Sequence, residues 1–256
     1  MDIQLDDCSL TYPGGHRAID AVNMVIPSGQ ICVILGTSGA GKSTLLRMIN
    51  GLATPTLGRV VLGSTIVTAA NARVVRRRVA TVRQDLGLVA RSSVAVNIVA
   101  GAVADMPIWR VLLGLPSAAH RARACALAAA VGLDPEHMGH RAERLSGGQQ
   151  QRVAIARALM PGAAVILVDE PVASLDPVTA RAMLALLRNE ARRSGATMVC
   201  TLHQPDLVMD FADRVIGLDR GRLVLDMPIA EFSARDTAVF YRKTALAPLA
   251  ICGFAA

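Results

Sequence analysis

The chain has 256 residues, enough for one large domain or one domain with a sub-lobe. It is 52% hydrophobic but only 3% aromatic, so its core is expected to be aliphatic and methionine-filled. A net charge of +7 and a pI near 9.8 favour anionic partners (nucleic acid, nucleotide phosphates or an anionic membrane face) without choosing among them, and no apolar run approaches the roughly twenty residues that span a bilayer.

In chain order, the acidic start Met1-Asp2-Ile3-Gln4-Leu5-Asp6-Asp7 lacks an apolar core and is not read as a secretory signal. Residues 1–35 read as short strands broken by turns at Pro13-Gly14-Gly15 and Pro27-Ser28-Gly29. The apolar run Ile31–Leu35 leads into Gly36-Thr37-Ser38-Gly39-Ala40-Gly41-Lys42-Ser43-Thr44, and the helical pattern Leu45–Ile49 follows. Val60–Leu62 and Val79–Val82 read as strands, with Arg73, Arg76, Arg77 and Arg78 between them as a solvated helix face. No aromatic residues interleave there to stack on bases. From about Val89 to Met160 the pattern is helical, with Ser117 capping a helix that stops at Gly132. Ala164–Val168 is an apolar strand. Asp176-Pro177 opens a helix that ends at Gly195, and Thr197–Leu202, Val215–Leu218 and Leu223–Leu225 are further strands. The tail Ala245–Ala256 is apolar without a clear period. This alternation predicts an α/β fold with a parallel core sheet and a helical insert at about 90–145. Cys8, Cys32, Cys125, Cys200 and Cys252 form no Cys-x-x-Cys, which argues against zinc and against a disulfide framework. Cys32 and Cys200 sit in apolar runs as small core residues, and the chain is read as cytosolic and reduced.

Strand, glycine loop and helix are the context a phosphate-binding loop needs. The glycines let backbone N–H groups turn toward one anion, and the helix start adds partial positive charge. Lys42 can reach the β- and γ-phosphates of ATP, and Ser43 can ligate Mg2+. Val165-Ile166-Leu167-Val168 ends in Asp169-Glu170, which would set Asp169 beside the metal and Glu170 where it can orient or deprotonate water. Leu145-Ser146-Gly147-Gly148-Gln149 opens another helix, with Ser146 as its N-cap and a second anion site at its glycines.

With the following Gln150-Gln151-Arg152-Val153-Ala154-Ile155-Ala156-Arg157, these motifs resemble the nucleotide-binding subunits of ATP-binding-cassette transporters across about residues 3–241. The resemblance implies an α/β P-loop ATPase core with a parallel sheet, an N-terminal antiparallel β-subdomain and a helical signature-motif subdomain. Residues 1–244 would form this nucleotide-binding domain, with the helical sub-lobe at about 90–145. It also implies a head-to-tail homodimer in which Ser146 and Gly148 contact the γ-phosphate bound to the opposite subunit. Gln84 matches the glutamine that senses Mg2+ and the membrane partner, and Ser174-Leu175-Asp176 matches the loop that crosses the interface. His203 matches the switch histidine and Tyr12 the aromatic residue stacked on adenine. Arg83, Asp85 and Gly87 depart from the usual pattern around Gln84, in the partner-facing groove.

A narrower resemblance is to the ATPases of phosphonate importers. It is carried by Leu88–Val94 with Asn97 and Gly101, by Pro107-Ile108-Trp109-Arg110, by Pro171–Pro177 with Ala173, and by Pro228–Phe232 with Phe240-Tyr241. Trp109 is expected as a packing residue of the helical lobe. The implied partners are permease subunits and, indirectly, a periplasmic solute-binding protein, on the cytoplasmic membrane face and without nucleic acid. An exporter ATPase stays open on the nucleotide motifs alone. A nucleic-acid ATPase of the same superfamily is opposed by the single cassette and the lack of zinc cysteines.

Overall fold

The computed structural model describes residues 1–83, 85–172, 176–202, 204–233, 236–237 and 240. The first two strands are β1 (Ile3–Thr11) and β2 (Arg17–Ile26), paired antiparallel. Along β2, Val22, Met24 and Ile26 turn inward while Ala21, Asn23 and Val25 face out, the period of two of a half-buried strand. Next comes β3 (Ile31–Leu35), whose five residues are all buried and which belongs to a second sheet. After it follow α1 (Lys42–Ile49), β4 (Leu57–Leu62), β5 (Thr65–Ile66), α2 (Ala72–Arg76) and β6 (Val79–Val82). The helical stretch contains α3 (Val94–Val99), α4 (Ile108–Leu112), α5 (Ala118–Ala130) and α6 (Gly147–Leu159). Last come β7 (Val165–Asp169), α7 (Pro177–Ser194), β8 (Thr197–Leu202), β9 (Arg214–Asp219) and β10 (Arg222–Pro228).

The antiparallel sheet has the order β2-β1-β4-β5, and the second sheet has the order β10-β9-β3-β8-β7-β6. In the second sheet β9, β3, β8, β7 and β6 run parallel, and only β10 is antiparallel. Strands covered on both faces read as unbroken apolar runs, which is why Ile31–Leu35 and Thr197–Leu202 show no alternation. One face of this sheet, with Cys32, Ile34, Leu167 and Val199, packs on α1 and the antiparallel sheet. The other, with Val33, Ile166, Met198 and Cys200, packs on α6, α7 and the helical lobe. Burying each such Leu, Ile or Val contributes roughly 1.5–3 kcal/mol, so the two cores hold α1 and α6 against opposite faces of one sheet.

Helix ends follow their caps. The Ser117 hydroxyl accepts the His120 N–H at the start of α5, and Asp176 accepts from Val178 and Thr179 at the start of α7. Gly195 ends α7 in the left-handed region at φ 66°. Between Val89 and Gly147 the helical pattern is more broken than expected, with 3-10 turns at Ala100–Asp105, Pro135–Gly139 and Ala142–Arg144. Pro107, Gly114 and Pro116 interrupt it, since proline cannot continue a helix from within. Trp109 does not pack inside the lobe: it stands 52% exposed on α4. Arg73, Arg76, Arg77 and Arg78 are exposed, as a solvated face should be. No helix among the described residues is long and apolar enough to cross a membrane. The tail 245–256 lies outside the described residues.

Candidate active site

The carboxyl ends of β3, β7 and β8 lie side by side, and parallel sheets bind ligands at that edge. The loop Gly36–Gly41 leaves β3 there and enters α1. Gly41 has φ 104°, and a Cβ on it would stand 2.4 Å from the Ala18 carbonyl oxygen, so only glycine fits. The free first-turn amides of α1 and its dipole make the loop an anion site.

Lys42 is buried, and its ammonium donates to the carbonyls of Gly36 at 2.8 Å and Thr37 at 3.1 Å. It lies 3.8 Å from the Glu170 carboxylate. Burial pushes its pKa below the usual 10.5, against the opposing pull of Glu170 and Asp169. The Ser43 hydroxyl donates to Asp169 Oδ1 at 3.2 Å, and the Thr201 hydroxyl donates to the same oxygen at 2.8 Å. Thr201 also accepts the Glu170 N–H at 3.0 Å. Glu170 has φ 50°, a left-handed backbone uncommon for a carboxylate at a strand end. Ser43 and Asp169 supply hard oxygen donors beside an anion loop, a donor set that fits Mg2+.

Tyr12, Ser38, Gly39, Ala40, Thr44 and Glu170 are among the walls of a cleft of about 430 Å³, and the Tyr12 hydroxyl lies 3.2 Å from the Thr44 hydroxyl. A second groove, of about 530 Å³, opens on the Asp169 side between Ser43, Asn50, Thr81, Arg83 and Asp85. Arg83 pairs with Asp85 through two hydrogen bonds of 2.7 and 3.0 Å, so the two unusual residues flanking Gln84 neutralise each other. Arg157 of α6 donates to the carbonyls of Leu86 and Gly87, tying that helix to the segment after Gln84. Gln84, His203, Ser174 and Leu175 lie outside the described residues.

Ser146 and Gly148 are not brought to the cleft. Ser146 is the exposed N-cap of α6 in a complete capping box: its hydroxyl accepts the Gln149 N–H, and the Gln149 side-chain Oε1 accepts the Ser146 N–H at 2.9 Å. The Gln149 amide also meets His137 Nε2 at 3.2 Å. Asp176 is exposed and serves as the cap of α7. Thr201 and His137 are site-associated residues that motif reading missed, and Arg157 was read only as part of the stretch after Gln149. A hydroxyl near the carboxyl end of the mostly apolar strand beside β7, in register with Asp169, was the available signal for Thr201.

The strand–loop–helix unit with an Asp-Glu strand end across from its lysine defines a phosphate-loop ATPase. Residues 19–173 match the family model described as ABC transporter. The phosphonates import ATP-binding protein PhnC of Hyphomonas neptunium is 44% identical over 244 residues, covering 95% of this chain and 92% of that protein. PhnC 2 of Trichodesmium erythraeum is 45% identical over 224 residues, covering 88% and 86%. The dimeric structure of MJ0796, a bacterial ABC transporter cassette, superposes with TM-score 0.79 at 30% identity, covering 90% of this chain and all of that one. The chain belongs to the ABC transporter family, and it is an ATPase.

Proposed function

We propose that this chain is the ATP-hydrolysing subunit of a phosphonate importer. Two copies would bind ATP head to tail on the cytoplasmic face of the membrane, beneath permease subunits served by a periplasmic binding protein. The observation that supports the reading is the separation of two anion-site features. Lys42, Ser43 and Glu170 line one cleft, with Asp169 hydrogen-bonded to Ser43 at its side, while Ser146 and Gly148 sit at a separate helix start. Each copy therefore holds two complementary half-sites. The relatives that cover nearly the whole chain, named for phosphonate import, support the solute class.

In this reading the amides of Gly36–Thr44 and the Lys42 ammonium hold the phosphates, and Tyr12 stacks on adenine. Ser43 and Asp169 would hold Mg2+, which would supply Lewis-acid stabilisation of the phosphate charge. Glu170 accepts the proton of the attacking water as its oxygen bonds the γ-phosphorus, and the bond to the bridging oxygen of ADP breaks. Ser146 and Gly148 of the opposing copy bind the γ-phosphate, and Asp176 lies along the seam between copies. Gln84 and His203 take the sensing and switch roles. ATP stabilises the closed dimer because it touches both halves, and loss of the γ-phosphate removes that differential contact.

The test is the ATPase rate in proteoliposomes holding the cognate permease. Phosphonate-loaded binding protein should raise it several-fold. The +7 charge keeps a nucleic-acid ATPase as the rival. DNA or RNA should bind the isolated subunit weakly and only at low salt. Hydrolysis stimulated by nucleic acid at physiological salt would overturn the importer reading.

A further inference from the structure

The turn Ser146–Gln149 is held by a side chain from outside its own helix. The 3-10 turn Pro135–Gly139 sets the half-buried His137 ring against Gln149. Gln149 is committed at both ends of its amide. Its Oε1 accepts the Ser146 N–H at 2.9 Å, so the group 3.2 Å from His137 Nε2 is the amide NH2. An amide NH2 only donates, so His137 Nε2 is the acceptor and the ring proton belongs on Nδ1. Nδ1 is buried, has no hydrogen-bond partner among the described residues, and stands 3.7 Å from Asp134 Oδ2. The neutral ring in this one tautomer fits the site.

Protonation reverses the arrangement. An imidazolium carries an N–H on both nitrogens, and its Nε2–H would meet the Gln149 NH2 donor to donor. Gln149 can answer by turning its amide over, which brings its oxygen to His137 and its NH2 to the Ser146 N–H. The capping box is then open, so a charged His137 and a closed box exclude each other. Asp134 is the one acid within ion-pair distance of the ring among the described residues, and it favours the proton that Gln149 opposes. Glu136 lies in the same turn, and the His140 ring meets His137 edge-on at 5.5 Å. Helices α3 and α5 pack against the turn. The first carries no titratable group. On α5, His120 is bound to Ser117, Arg121 to the Pro116 carbonyl and Arg123 to those of Leu159 and Met160, while Cys125 is exposed. On α6, Arg152 donates to the carbonyls of Val131 and Gly132.

We infer that His137 is a positioning residue for the start of α6: the neutral ring locks Gln149 and through it the Ser146 N–H, and a proton on the ring releases both. This role rests on the two-copy reading proposed above, in which Ser146 and Gly148 complete the ATP site of the opposite subunit. The half-site is fully formed with His137 neutral. It weakens as pH falls through the range in which imidazoles take up a proton, about 8 to 5.

Two variants of the full-length chain separate this role from simple packing. His137→Gln can offer a carbonyl oxygen in place of Nε2 and takes up no proton, whereas His137→Leu fills the space and accepts nothing. Hydrogen exchange of the nucleotide-free chain is read residue by residue by NMR at about pH 7.5. Protection of the Ser146 amide should be kept in the glutamine variant and fall about fivefold in the leucine variant, the factor an ordinary capping bond carries. Equal protection in all forms would overturn the role whether or not two copies share ATP. ATP turnover of the native chain is then divided by that of the glutamine variant, which cancels the titrations the two have in common. The ratio should be near one at pH 8 and about fivefold lower at pH 6. A flat ratio would make His137 a packing residue and overturn its positioning role. If the leucine variant loses its native circular dichroism, the ratio still decides. Sizing of the Glu170→Gln variant with Mg-ATP reads the two-copy arrangement separately, so its failure and the failure of the His137 role are told apart.

Discussion

At the scale of single residues, Thr201 joins the two proposed catalytic carboxylates. It donates to Asp169 and accepts from the Glu170 backbone, so one buried hydroxyl sets both the metal-side carboxylate and the strained turn of Glu170. Thr201→Val keeps the shape and removes both bonds. It should cost about 1–3 kcal/mol in a urea melt and lower ATP turnover roughly 10–100-fold, whereas Thr201→Ser should keep most of both. Full activity in the valine variant would deny Thr201 a positioning role. Lys42→Ala should instead lose nucleotide affinity itself, read by titration of the purified subunit, because a phosphate-directed charge disappears. The thiols separate by burial. Burial pushes Cys8 up to about 11 and Cys32 up to about 12, and holds Cys200 well above the usual 9, whereas Cys125 is exposed. Maleimide at pH 8 followed by peptide mass mapping should therefore label Cys125 well before those three, which react only on unfolding. The phosphate loop and Asp169-Glu170 were legible because their chemistry lies in consecutive residues. Thr201 was not, because its meaning comes from strand register with β7, a non-local fact.

At the scale of elements, boundaries were legible wherever a cap spells them. Asp176-Pro177 and Gly195 bracket α7, and Ser117 and Gly132 bracket α5 and its turn. The Asp176 carboxyl lies below its ordinary 3.8, held chiefly by the Thr179 side chain and then by backbone N–H groups. Its folded value is the lower one, so the cap acts in full above 3.8 and is lost as pH falls through the folded value. The stretch 100–116 was read less well. Apart from Asp105 and Arg110 it is apolar or glycine and proline, so no period distinguishes a buried helix from an exposed one or shows that Trp109 stands outside the packing of the lobe. At α6 the capping box makes a quantitative prediction. Ser146→Ala removes the acceptor for the Gln149 N–H and should cost roughly 1 kcal/mol in thermal or urea unfolding, besides its proposed effect on turnover. Stability unchanged within a few tenths would mean that the cap contributes little.

At the scale of the whole molecule, the parallel sheet separates the chemistry. The phosphate loop and α1 pack on one face with the antiparallel sheet, while α6 and the helical lobe pack on the other. Motif order made this α/β plan legible. The spatial separation of Ser146 from the cleft was implied only by the family resemblance, since chain order says nothing of distance. Arg157 bridges the division by holding Leu86 and Gly87, which places α6 in contact with the segment after Gln84.

The shared ATP site is tested most directly by sizing the Glu170→Gln variant with Mg-ATP. That change removes the proposed base and spares Asp169, so ATP should stay uncleaved between two copies. The protein should run at twice its 26.9 kDa chain mass with ATP and as a monomer without it. Adding Ser146→Arg should abolish the dimer yet keep ATP bound. A Glu170→Gln protein that binds ATP and remains monomeric, or a dimer indifferent to Ser146→Arg, would contradict a site built from two half-sites.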